Sequence, residues 1–190
     1  MIEPAWSRLR LRDRIAPGLR VLFVGINPGV RSAETGHHFA GISNRFWRLL
    51  CESKLVPEPI TYVDDARLPE WGLGITNLIA RPSPGIDDLS PPEYVEGWRK
   101  LEKKIRRYQP AVVALVGVTV YRAIVPLLGG APPPRRRAAG TADSVLGLRP
   151  EIVHGARLFV LPNPSGRNAN FSYAEMLDAF KALKRYVGKA

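Results

Sequence analysis

The chain has 190 residues, 45% of them hydrophobic, which suits one domain with a proper core. Lys and Arg number 28 against 17 Asp and Glu, a net charge of +11, so the expected partner is a polyanion, nucleic acid first. A single cysteine, Cys51, excludes an internal disulfide and a four-thiolate cluster, and the longest apolar run, residues 111–121, is too short to span a bilayer.

Residues 1–19 read as a basic lead-in, rich in Arg and without the apolar block of a signal peptide, which predicts a soluble, cytoplasmic protein. Residues 20–25 (RVLFVG) are a short strand closed by glycine, and INPGVRSAETGHHFAG follows as a turn-rich loop. A helix comes next, with Ser43 as N-cap and Phe46, Trp47, Leu49 and Leu50 on its apolar face. Residues 71–79 (WGLGITNLI) form the second strand and lead into the loop ARPSPGIDDL. Ser90 as N-cap, Pro91 at the first helical position and Glu93 as capping-box partner announce a helix to about Tyr108, stopped by Gln109-Pro110. Residues 111–116 (AVVALV) read as a buried strand, and residues 118–128 as a short helix. Residues 129–140 (GGAPPPRRRAAG) read as a flexible basic surface loop, with Arg135, Arg136 and Arg137 as a solvated run. Residues 157–161 (RLFVL) are the fourth main strand, paired with 151–154 through a Gly155 turn. The loop PNPSGRNANF precedes a last helix, capped by Ser172 with Glu175 and running to about Val187.

Strands alternating with helices predict an α/β fold. It is a three-layer αβα sandwich around a mostly parallel sheet of about four strands, one domain over residues 1–190. Ligands of such sheets bind outside the carboxyl ends of the strands, where all the unusual loops lie. Two of those loops carry an Asn-Pro step, at Asn27 and at Asn163. Proline holds the preceding residue extended, which stiffens each Asn, and the neighbouring glycines admit close backbone approach. Either loop alone is only a good turn; two on one rim suggest a site. Neither GxxxxGK[ST] nor GxGxxG follows the first strand, which argues against a phosphate-binding nucleotide enzyme. The histidines show no zinc spacing, and no metal or other cofactor is expected.

GINPG, the stretch TGHHFAG with SNRFW, and LPNPSGR, in this order from about Leu19 to Val187, resemble the mismatch-specific uracil/thymine-DNA glycosylases of the uracil-DNA glycosylase superfamily. The resemblance implies base flipping from double-stranded DNA holding G·U or related mispairs, and hydrolysis of the N-glycosidic bond to leave an abasic site. It implies that Asn27 positions the water. The Ile26 and Phe39 backbones would hydrogen-bond the base, the Phe39 ring would stack on it, and Ser32 and Asn163 would lie close to it. Gly166, Arg167 and Asn168 would enter the duplex and read the opposite base. An asparagine orients water but does not ionise, so slow turnover is expected, with uracil leaving faster than thymine. Asp87 and Asp88, in a rim loop, are candidate carboxylates for raising the rate, set against the plain role of solvated acids near a helix N-terminus. No lysine sits in the Asn27 or Asn163 loops, so a Schiff base is not expected and the enzyme reads as monofunctional. A monomer is expected. Two departures bear on substrate range: Arg167 stands where an apolar wedge is common, and Asn77 where some bacterial members have lysine. The rival reading is a non-catalytic DNA-binding protein on the same fold. The catalytic reading demands that Asn27, Phe39 and Arg167 surround one hole wide enough for a pyrimidine.

Overall fold

The computed structural model describes residues 4–132 and 145–188. Five strands form one sheet in the order β2-β1-β3-β5-β4. They are β1 (Val21–Gly25), β2 (Leu73–Asn77), β3 (Val112–Val116), β4 (Gly147–Val153) and β5 (Ala156–Leu161). β1, β2, β3 and β5 are parallel, and β4 pairs antiparallel with β5 through a turn whose two residues, His154 and Gly155, both have positive φ. β4 is the strand beyond the expected four. It begins at Gly147 and shifts register between Leu148 and Ile152, on either side of Pro150, which has no N–H to give the ladder.

The central strands are buried on both faces, and alternate residues feed two separate cores. Val21 and Phe23 pack with α2 (Phe46–Glu52) and α5 (Tyr173–Val187), while Leu22 and Val24 pack with α3 (Pro91–Tyr108) and α4 (Val118–Ile124). This is the three-layer sandwich. α3 starts as its sequence predicts: the Glu93 carboxylate accepts from the Ser90 N–H at 2.9 Å, and Gln109 closes the helix in the left-handed region.

Three local expectations change. The N-cap of α2 is Arg45, not Ser43; the Asn44 side chain accepts from the Phe46 N–H at 2.9 Å and makes the entry turn. The loop after β1 contains a six-residue helix, α1 (Val30–Thr35), ended by Gly36 in the left-handed conformation. A 3-10 segment, Tyr62–Trp71, opens on Thr61 and Asp64 and leads directly into β2. The lead-in is also more than a tail: Arg14 bridges antiparallel to Ile75, pinning residues 11–14 across the sheet edge. Residues 133–140 of the expected basic loop, Arg135, Arg136 and Arg137 among them, lie outside the described residues.

Candidate active site

The carboxyl ends of β1, β2, β3 and β5 open on a cavity of about 230 Å³. That lies below the range of pockets for drug-sized ligands, roughly 300–1,000 Å³, and suits one small heterocycle. Ile26, Asn27, Ser32, Phe39 and Asn163 all line it. Among the further wall residues, Leu11 comes from the lead-in, Arg31 from α1, His38 from the α1–α2 loop, Asn77 from the end of β2 and Ser83 from the loop after it.

Asn27 is fixed by its amide nitrogen. Nδ2 donates to Ser83 Oγ at 2.8 Å, to the Arg81 carbonyl at 3.3 Å and to the Pro28 carbonyl at 3.2 Å. The Ser83 hydroxyl spends its own proton on the Gly85 carbonyl at 2.5 Å, so toward Asn27 it acts as acceptor. The amide therefore has one orientation, and Oδ1 is the atom left to receive a ligand's hydrogen bond. Arg81 ties this arrangement to α3: Nε and Nη2 grip Glu93 at 2.7 and 2.9 Å. That fork, helped by the Ser90 N–H, pulls the Glu93 carboxyl down to about 2.

Phe39 holds a φ of 52°, a conformation that costs a non-glycine residue of order 1–3 kcal/mol. Its ring stacks on Phe46 with centroids 4.3 Å apart and 19° between planes, so the core backs one face while the ring walls the cavity. Gly25 makes room: a β-carbon there would stand 2.6 Å from Asn77 Oδ1 and 3.3 Å from the Phe39 ring. The strained backbone is held by Asp65, which is fully buried. Its carboxylate accepts from the His38 N–H at 3.0 Å and from Arg14 Nε at 3.1 Å, and meets His37 Nδ1 at 3.1 Å. The His38 ring sits in the cavity wall with Nε2 3.0 Å from the Arg12 carbonyl, which accepts. The neutral ring thus carries its proton on Nε2, and Nδ1 receives a long contact, 3.4 Å, from Asn77 Nδ2. Burial lowers the His38 pKa below its ordinary value, against the pull of the Arg12 carbonyl and Asp65.

The remaining predicted residues stand outside these walls. Asp87 and Asp88 are exposed in a 3-10 turn, Ile86–Asp88, of which only Ile86 reaches the cavity. The Asp88 carboxylate is occupied by the Gly85 N–H at 3.1 Å. The loop after β5 closes on itself: Asn163 Oδ1 accepts from the Ser165 N–H, and Asn168 Nδ2 donates to the Asn163 carbonyl at 2.8 Å. Gly166 sits on Ser43, where a β-carbon would lie 2.5 Å from the serine's own. Arg167 is exposed beside the cavity rather than in its wall, so the demand that Asn27, Phe39 and Arg167 enclose one hole is met by the first two only. The turn bonds inside 163–168 and the seat on Ser43 hold that loop at the rim.

Leu11, His38 and Ser83 carried no sequence signal of their own. His38 sits within TGHHFAG and Ser83 in the loop after β2, where neither residue type signals a role. The places of His38 and Ser83 come from contacts across 26, 39 and 56 positions of chain.

A family model described as the uracil DNA glycosylase superfamily matches residues 13–184. Among curated proteins, the chain is 39% identical over 163 residues, 84% of its length, to the G/U mismatch-specific uracil DNA glycosylase of Schizosaccharomyces pombe (strain 972 / ATCC 24843). It spans 48% of that protein, about half its length. Among solved structures it matches a Methanosarcina acetivorans protein, determined in solution by NMR and given a uracil DNA glycosylase name. The TM-score is 0.56 at 16% identity, covering 93% of this chain and 98% of that one, a likeness of fold.

Proposed function

The chain belongs to the uracil DNA glycosylase superfamily, and from that premise we propose that it excises uracil from double-stranded DNA, preferably opposite guanine, as a monofunctional glycosylase. The observation that carries this is the juxtaposition of a fixed asparagine and an aromatic ring in one cavity of single-base size. The 39%-identical relative, which is named for G/U mismatches, supports the choice of opposite base.

The chemistry follows from the geometry. A flipped pyrimidine stacks on Phe39, and Asn27 Oδ1 accepts a hydrogen bond from a water aimed at the sugar carbon. The glycosidic bond breaks and its electron pair leaves with the base; water oxygen bonds to the carbon, its proton passes to bulk water, and the base anion takes one proton up from water. Asn27 orients that water and takes no proton. Asn163 and Ser32 shape the base site, while Gly166, Arg167 and Asn168 meet the duplex beside it. Thymine, the poorer leaving group with one more methyl to fit, reacts more slowly. Asp87 and Asp88 enter this reading as turn-forming acids at the rim. Asp87→Asn and Asp88→Asn should each keep single-turnover cleavage within about threefold of wild type; a larger drop in either makes it part of the chemistry. We also place the enzyme in the cytoplasm as a monomer. Among the described residues no helix is long and apolar enough to cross a membrane.

The test is a labelled duplex with one G·U pair, incubated with enzyme, treated with alkali and resolved on a gel. Wild type should give the cut strand, and Asn27→Ala should slow it on the order of 10²-fold, the loss typical of a misplaced reactant. Intact DNA with wild type across G·U, A·U and single-stranded uracil defeats the proposal and favours a binding protein on this fold.

A further inference from the structure

Ile42 is 89% exposed, the most exposed large hydrophobic residue among those described; the next, Ile152 and Val63, are 57% and 56%. A lone exposed aliphatic side chain is ordinary. The setting of this one is not. It stands at the tip of a turn closed by the Asn44 N–H on the Gly41 carbonyl at 2.9 Å, and both Gly41 and Asn44 line the cavity. The turn is braced behind: Arg31 Nε donates to the Ala40 carbonyl at 2.8 Å, and the Ala40 N–H to Ser32 Oγ at 3.1 Å. On its far side Ser43 carries Gly166 without room for a β-carbon, and the Arg45 N–H donates to the Pro164 carbonyl at 2.9 Å. The turn of Ile42 and the loop of Arg167 are therefore clamped together at one side of the cavity mouth, each presenting an exposed side chain.

Holding a stiff, branched hydrocarbon in water at the mouth of a cationic protein's cavity gains nothing for folding. It gains when a duplex covers it. Aliphatic side chains are the usual wedges between partly unstacked base steps, whereas Arg167 brings charge and a plane. We infer that Ile42 is a second DNA-contacting prong, an apolar wedge that packs against the unstacked bases next to the vacated position while Arg167 serves that position and the phosphates. The inference rests on the glycosylase reading above. The occupant is the damaged duplex itself; its continuity with the cavity mouth and the net charge of +11 both favour DNA over a second copy of the chain.

Single-turnover cleavage of the G·U duplex across a range of enzyme concentrations tests it with full-length protein. Ile42→Asn should raise the half-saturating enzyme concentration or lower the limiting rate by about tenfold or more, and Ile42→Met, which keeps a flexible apolar prong, should restore most of the loss. Thermal unfolding of Ile42→Asn should match wild type or exceed it, because nothing in the fold packs on this side chain. The inference falls if Ile42→Asn cleaves within twofold of wild type, if Ile42→Met is as impaired as Ile42→Asn, or if sedimentation shows a wild-type dimer that Ile42→Asn dissolves. Wild type that leaves the duplex uncut overturns the glycosylase reading instead, so the two failures are told apart.

Discussion

At the scale of single residues, the site is governed by which atom of each amide is already spent. Asn27 gives its nitrogen to Ser83, Arg81 and Pro28, so its oxygen faces whatever enters the cavity. Ser83 enforces that choice by donating to Gly85 while accepting from Asn27. A hydrogen bond of this kind is worth about 0.5–1.5 kcal/mol, close to a factor of ten at its upper end. Ser83→Ala should therefore cut single-turnover cleavage by roughly three- to tenfold, with Ser83→Thr restoring it. A loss confined to stability, with the rate intact, would show that the amide keeps its orientation unaided. Asp65 acts one step further out, through the His38 N–H that leads into Phe39. Its burial against Arg14 and His37 makes it a positioning residue for the strained ring rather than a participant in bond breaking.

At the scale of elements, the loop after β5 shows how packing sets function. A β-carbon on Gly166 would stand 2.5 Å from the Ser43 Cβ and 2.8 Å from its carbonyl and hydroxyl oxygens, distances that real β-carbons do not show. Gly166→Ala must lift the loop from its seat. Overpacking of this sort costs about 1–3 kcal/mol, or roughly 2–10 °C in Tm for a domain of this size. Because Arg167 moves with the loop, cleavage of the G·U duplex should fall at least tenfold; an unchanged rate would detach the loop from catalysis. What could be read in advance also sorts by element. α3 was legible to the residue because its signals are local: a serine cap, a proline behind it, a glutamate three residues on and a stop at Gln109-Pro110. α1 and the 3-10 segment Tyr62–Trp71 were not, since six residues show no period and a 3-10 turn has none of the helical 3.6 spacing. Of the site, the Asn-Pro loops were legible from turn chemistry, and Phe39 as a wall residue only through the family resemblance. The lead-in was not: Leu11 reaches the cavity and the Arg12 carbonyl reaches the His38 ring beside the point where Arg14 pairs with Ile75, a contact with no local trace.

At the scale of the whole molecule, pH and salt act on different parts of the same architecture. Glu93 titrates near 2 in the fold against an ordinary 4.5, so its charged form is the favoured one in the native state. The stability it lends is fully present above about 4.5 and drains away as pH falls toward 2. His38, lowered from 6.5 by burial, is favoured neutral, so its contribution holds above 6.5 and weakens as pH falls below. Asp65 and Asp13 oppose that shift and Arg14 aids it. Thermal unfolding should thus weaken on the acid side in two stages, with His38→Gln removing the upper one and Glu93→Gln the lower; a Tm flat from pH 7 to 5 in wild type would refute the first. Salt should leave the fold nearly untouched, because both cores are apolar and exposed ion pairs such as Arg48–Glu52 contribute little. DNA binding should behave oppositely. A chain of net charge +11 that neutralises several phosphates loses affinity with a log–log slope near −0.9 per contact, or 10³-fold and more between 50 and 200 mM salt for six contacts. Cleavage at limiting enzyme should fall steeply across that range while the rate at saturating enzyme stays constant, since the proposed mechanism brings water, base and Asn27 together inside the cavity, away from bulk ions. Equal salt sensitivity in both regimes would place the dominant charge effect inside the site, contrary to a wall in which Arg31 gives its Nε to the Ala40 carbonyl and the other polar side chains are amides, hydroxyls and the His38 ring.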